Sequence, residues 1–249
     1  PKTNGRSYIY NLRTRKKKFI KQQEVLDKKY SPKNYVTERL ECKSHDGRLI
    51  PLTITRHIDT KIDGTANVLL YGYGSYGNSL SFGFSSTRLS LLNRNIIWCD
   101  ASVRGGRERG EVFHQEGKML NKKNTFKDYI SAANFLIQKK YTYKGGIIFF
   151  GGSAGGLTGA VVANFAGDLF LSMILAVPFV DVLTTNLNEE LPLTPPEFLE
   201  IGRSKINKEQ FLYIKSYSPY EQIKKQKYPH ILVHGSLSDA RVLITEPTK

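Results

Sequence analysis

Apolar positions along the chain follow two rhythms, short unbroken runs and one clear helical stripe. The runs at 67–71, 95–101, 147–150 and 173–177 predict buried strands, and 230–234 predicts a last strand. Phe126, Tyr129, Ile130, Ala133, Leu136 and Ile137 recur at i, i+3, i+4 and i+7, which predicts a helix with one apolar face. Its start is expected at Asn124-Thr125, with Thr125 and Asp128 placed as a capping box. Shorter helices are predicted at 86–92, 157–163 and 208–215. Segments 35–42 and 49–56 read as a hairpin joined by Ser44-His45-Asp46-Gly47, the Asp-Gly pair being the turn signal. Segments 7–12 and 17–21 read as two short strands around a basic turn. Residues 181–205, with Pro192, Pro195 and Pro196, read as an irregular surface segment able to wall a substrate site. Strands alternating with helices predict a mostly parallel sheet, and sites in such sheets gather at the carboxyl ends of the strands. Tyr73, Ser153 and Asp239 each follow a predicted strand.

Composition narrows this picture. With 249 residues, 40% of them hydrophobic, the chain suits one large α/β core. Two cysteines, Cys42 and Cys99, form neither a disulfide framework nor a metal-site spacing, so reduced thiols and a cytoplasmic location are expected, with no metal and no cofactor. The net charge is +15, and residues 1–36 carry eleven Lys/Arg against Glu24 and Asp27. A basic arm for nucleic acid or an acidic surface is one reading. A solvated lysine-rich face is the favoured one, since no nucleic-acid motif accompanies the charge. Between Gly145 and Val180 the only charge is Asp168, but six glycines interrupt the first half and 169–180 is too short to span a bilayer. No membrane and no nucleic-acid partner is therefore expected.

The candidate chemistry lies in Gly151-Gly152-Ser153-Ala154-Gly155-Gly156, directly after the run Ile147–Phe150. This is G-x-S-x-G in strand–turn–helix context, the nucleophile elbow of α/β-hydrolases. A serine on so tight a turn sits in strained backbone, and side chains at 151 or 155 would strike the neighbouring strand and helix. A glycine-rich turn or phosphate cradle is the alternative, and the absence of G-x-x-x-x-G-K-[ST] weakens it. Tyr71-Gly72-Tyr73-Gly74-Ser75-Tyr76-Gly77 is a second glycine-rich loop, placed where this fold builds part of its oxyanion hole.

Further motifs occur in a fixed order: Val-Arg-Gly-Gly (103–106), Gly-Lys (117–118), Lys-Asn-Thr-Phe-Lys-Asp (123–128), Val-Pro-Phe-Val-Asp-Val (177–182), Pro-Leu-Thr (192–194), Ser-Tyr-Ser-Pro-Tyr (216–220) and Asp-Ala-Arg-Val (239–242). Together with the two glycine loops they resemble the prolyl oligopeptidase family, most of all its oligopeptidase B branch. The resemblance covers nearly the whole chain. It implies an α/β-hydrolase catalytic domain over 31–249, lacking the last strand and helix, with residues 1–30 as the tail of a β-propeller domain and linker. It implies a serine peptidase acting on short peptides, after Arg or Lys. Ser153 would be the nucleophile and Asp239 the acid that orients the histidine. Tyr73 and the Ala154 N–H would be oxyanion donors, with Arg241 and Glu197 binding substrate. The family histidine follows the aspartate by a few dozen residues, whereas His45, His57, His114, His230 and His234 all precede Asp239. His234 reads as a loop or core histidine. A propeller domain and a C-terminal segment would thus be missing from this chain. Leu199 stands at the family's second pocket carboxylate, Ser81 and Gly83 at its second acidic pair, and Arg107 at a glycine, which weakens an inferred preference for basic residues. An inactive remnant of such an enzyme and a basic binding module are the competing readings.

Overall fold

The computed structural model describes residues 2–249. Seven strands form the main sheet: β3 (Tyr35–Lys43), β4 (Leu49–His57), β5 (Val68–Tyr71), β6 (Ile97–Ala101), β7 (Ile147–Gly152), β8 (Phe170–Ala176) and β9 (His230–His234). Their spatial order is β3-β4-β6-β5-β7-β8-β9. The β3–β4 and β4–β6 pairs are antiparallel, and every pair from β6 to β9 is parallel. An antiparallel hairpin of β1 (Arg6–Tyr10) and β2 (Lys17–Gln22) forms a separate two-stranded sheet with largely exposed residues.

The parallel strands are apolar without alternation because both faces are covered. Val68, Leu70, Ile97, Cys99, Ile147 and Phe149 point to one side. There they meet the apolar faces of α3 (Lys123–Gln138) and α4 (Ala154–Ala166). Leu69 and Trp98 point to the other, against Leu89 and Leu92 of α1 (Ser86–Leu92). The last strand differs, since all five residues of β9 are exposed.

Two expectations are corrected. The helix α3 begins at Lys123, so Thr125 lies within its first turn and makes no capping box with Asp128. Both side chains serve tertiary bonds instead. Thr125 Oγ1 donates to the Arg104 carbonyl at 2.7 Å. Asp128, fully buried, accepts from the Arg104 backbone N–H (3.0 Å), Nε (2.9 Å) and Nη2 (2.6 Å). The segment 181–205 is not irregular throughout. It contains α5 (Val182–Leu187) and α6 (Thr194–Glu197), the latter with Pro195 and Pro196 in its first turn, where proline costs no helical hydrogen bond. A short helix α2 (Glu111–Gln115) went unforeseen, and α7 (Lys208–Lys215) falls where expected. No helix among the described residues is long and apolar enough to cross a membrane.

Candidate active site

Ser153 stands at the apex between the end of β7 and the start of α4. Its backbone holds φ 54° and ψ −119°, a region that a residue with a side chain occupies only when the surroundings enforce it. Three backbone bonds do so: Ser153 N–H donates to the Ala176 carbonyl at 2.9 Å, and the Ser153 carbonyl accepts the N–H groups of Leu157 (3.1 Å) and Phe179 (3.3 Å). The flanking glycines are steric requirements. A Cβ on Gly151 would lie 2.4 Å from the Gly155 carbonyl oxygen, and one on Gly156 would lie 2.6 Å from Pro178 Cα. The Ala154 N–H belongs to the first turn of α4, where backbone donors have no intrahelical acceptor.

The glycine loop after β5 brings Tyr73 to the same cleft as Ser153. Burial pushes the Tyr73 phenol up, so it keeps its proton and is able to donate. A cleft of about 290 Å³ opens beside Ser153, lined by Tyr73, Tyr76, Phe179, Glu197, Arg241 and Val242, among others. The Tyr76 hydroxyl lies 2.9 Å from both oxygens of Glu197. Burial raises the Glu197 pKa, and the bond from Tyr76 opposes that rise.

Four of the six expected site residues thus meet in or around one cleft: Ser153, Tyr73, Glu197 and Arg241, with Ala154 following Ser153 directly. Asp239 does not line it. Its Oδ1 accepts the N–H groups of Arg241 (2.8 Å) and Val242 (3.0 Å), so it shapes the turn that points these two residues at the cleft. None of the five histidines lines the cleft either. His234 is exposed at the end of β9 rather than in the core, and its carbonyl accepts the Val177 N–H at 2.7 Å. Leu199 is 79% exposed and does not line the cleft. Ser81 and Gly83 line a different cavity, of about 950 Å³, with Tyr71, Trp98 and Phe150.

The sequence reading missed a buried polar cluster under the Tyr73 loop. Lys122, Glu200 and His114 are all buried, with His114 Nε2 2.8 Å from Glu200 Oε2 and Lys122 Nζ 3.8 Å from Glu200 Oε1. One signal was available. Lys122 precedes Phe126 by four and Tyr129 by seven, so extending the helical stripe one turn backwards places it on the inner face.

A mostly parallel sheet with a strained serine between a central strand and a helix, and a tyrosine in the same cleft, defines the α/β-hydrolase fold. The prolyl oligopeptidase family model matches residues 82–249, and the chain belongs to that family. It is 39% identical over 248 residues to dipeptidyl aminopeptidase BI of Pseudoxanthomonas mexicana, covering 99% of this chain and 34% of that protein. It is 40% identical over 250 residues to protease 2 of Moraxella lacunata, covering 100% of this chain and 35% of that one. Among solved structures, oligopeptidase B from Leishmania major superposes with a TM-score of 0.94 at 36% identity, over 99% of this chain and 34% of that one. The chain spans about a third of the length of these relatives.

Proposed function

We propose that this chain is the catalytic domain of a serine oligopeptidase that cleaves short peptides after a basic side chain. The observation that carries the reading is the cleft uniting Ser153, Tyr73, Glu197 and Arg241. In this reading Ser153 Oγ attacks the scissile carbonyl, and a histidine takes the hydroxyl proton. The Tyr73 hydroxyl and Ala154 N–H receive the oxyanion of the tetrahedral intermediate. The histidine returns its proton to the leaving amine, and water then hydrolyses the acyl-serine by the same route. Glu197 supplies the charge that a substrate Arg or Lys would meet, and Arg241 binds a substrate carbonyl. Asp239 orients the histidine.

The base lies outside this set of residues, because no histidine of the chain lines the cleft. The reading therefore places the chain in a longer polypeptide. Residues 1–30 would be the tail of a β-propeller domain and linker, and 31–249 would belong to the catalytic domain. That division agrees with the separate β1–β2 sheet. A cytoplasmic location fits the two buried free thiols, Cys42 and Cys99.

The deciding experiment is a peptide panel carrying Arg, Lys, Pro or Leu before the scissile bond. It uses the polypeptide that contains this chain and its Ser153→Ala variant. Hydrolysis after Arg and Lys that disappears in the variant is the expected result. Hydrolysis that survives the substitution refutes the assignment of Ser153. Cleavage confined to Pro refutes the basic preference alone.

A further inference from the structure

The loop that carries Tyr73 cannot hold its shape unaided. Three of its residues lie in the left-handed region: Gly74 (φ 74°), Tyr76 (φ 57°) and Gly77 (φ 64°). For Tyr76, which bears a side chain, that conformation is costly and must be enforced by contacts. The contacts come from below. Lys122 is 1% exposed, and its Nζ donates to the Gly74 carbonyl at 2.7 Å and to Ser75 Oγ at 2.6 Å. Glu200, also buried, accepts the Tyr76 N–H on Oε1 at 2.8 Å and stands 3.8 Å from Lys122 Nζ. Its other oxygen faces His114 Nε2 at 2.8 Å.

A lysine so deeply buried is rare unless something requires it. Burial pushes Lys122 down to about 8 against the pull of Glu200 and Glu197, which leaves it mainly cationic at neutral pH. Lys122 does not line the cleft, so it cannot touch a substrate there. What it grips are the two residues that follow Tyr73.

We infer that Lys122, braced by Glu200, is a positioning residue: it clamps the loop at Gly74 and Ser75 so that the Tyr73 hydroxyl is held over Ser153. The inference deepens the reading of Ser153 and Tyr73 given above and rests on it for its kinetic consequence. The clamp itself is a statement about the loop and can be measured without any reaction.

The test is Lys122→Met, which keeps the length of the side chain and removes its donors. Amide hydrogen exchange at 72–77 is expected to accelerate about tenfold or more, with the amides of β7 and α4 unchanged. Unchanged exchange at 72–77 in a folded variant overturns the clamp. If Lys122→Met does not fold, Ser75→Ala removes one of the two acceptors and is expected to give a smaller acceleration at the same amides. No acceleration there overturns the proposal equally.

The kinetic arm uses the peptide-cleaving polypeptide. Lys122→Met is expected to lower kcat by about a hundredfold with KM little changed, the signature of a lost oxyanion donor. In a Tyr73→Phe background the same substitution is expected to cost less than about threefold, because the donor it positions is gone. A full loss in that background overturns the link to Tyr73. If Ser153→Ala retains hydrolysis, the serine assignment fails, and the exchange experiment still decides the clamp.

Discussion

Gly72→Ala would place a methyl group where the structure has no room for one. The added Cβ would sit 1.4 Å from the Tyr129 hydroxyl oxygen, 2.4 Å from its Cζ and 2.9 Å from the Ala101 carbonyl oxygen. Contacts below 3.0 Å essentially never occur for a real Cβ, so something must move. Tyr129 cannot do so cheaply. It is fully buried on α3, and its ring packs edge-on against Phe149 of β7 at 5.3 Å. Overpacking of this kind costs roughly 1–3 kcal/mol, and the backbone contact at Ala101 argues for the upper end, about 3 kcal/mol. For a domain of this size that lowers Tm by roughly 6–12 °C. The partner experiment is Tyr129→Phe, which removes the closest atom. The Tyr129 hydroxyl has no hydrogen-bond partner, so its removal alone is expected to be neutral or stabilising by up to about 1 kcal/mol. In the double variant Cζ still crowds the methyl, so partial rescue is expected, with a coupling of about 1 kcal/mol. Urea unfolding of the four proteins supplies all the numbers. A Gly72→Ala chain within about 0.5 kcal/mol of the parent, or strictly additive effects, refutes the packing argument.

Other outcomes follow from groups already described. Partial burial raises the Asp46 carboxyl, but hydrogen bonds from Arg104 and the Arg48 N–H outweigh it and hold the group at about 2. That depressed value means the contribution of Asp46 to stability is present above its ordinary pKa and is lost as pH falls toward 2. Urea midpoints between pH 5 and pH 2, as approximate limits, should fall less steeply in Asp46→Asn than in the parent. Arg104→Met leaves Asp128 buried without its cation, and a loss of about 3–5 kcal/mol is expected in the same assay. Glu197 is raised by burial, so preference for Arg over Leu substrates should strengthen as pH rises through that elevated value and fade below it. Glu197→Gln should cost about ten- to a hundredfold in kcat/KM for Arg peptides and remove that pH dependence. Burial pushes the Cys42 thiol up to about 12 and the Cys99 thiol well above its ordinary value. A thiol reagent should therefore label neither in the native chain and both in urea, and rapid native labelling would contradict the packing of β3 and β6.

Much of the fold was legible because its inner strands are buried on both faces, while β9, though exposed, keeps an apolar run of its own. Uninterrupted apolar runs located β5, β7 and β8 within a few residues, and β9 to the residue. The elbow was legible because strand, glycines and serine are contiguous. Harder features were those whose partners lie far away in the chain. The Thr125/Asp128 pair has capping-box spacing, yet its bonds go to Arg104, more than twenty residues earlier. The Lys122–Glu200–His114 cluster escaped notice because burial of a charge depends on tertiary neighbours, and local polarity says nothing of them.

The walls of the cleft differ in what it takes to break them away. Ser153 is rooted in β7, a central strand flanked by β5 and β8. Arg241 and Val242 hang from β9, the outermost strand, which is exposed along its whole length. A buried carboxylate, Glu246, pins the segment after them by accepting the N–H groups of Val180 (2.8 Å) and Asp181 (2.6 Å) and the Thr185 hydroxyl, and Lys249 pairs with Asp181. Within these 249 residues the Ser153 side of the cleft thus rests on a strand paired on both edges, and the Arg241 side on a strand paired on one. Limited proteolysis should cut near 235–245 first, and the remaining core should keep the elbow and the Tyr73 loop intact. The Arg241 wall can then loosen or be remodelled by substitution while the strained serine beside it stays in place.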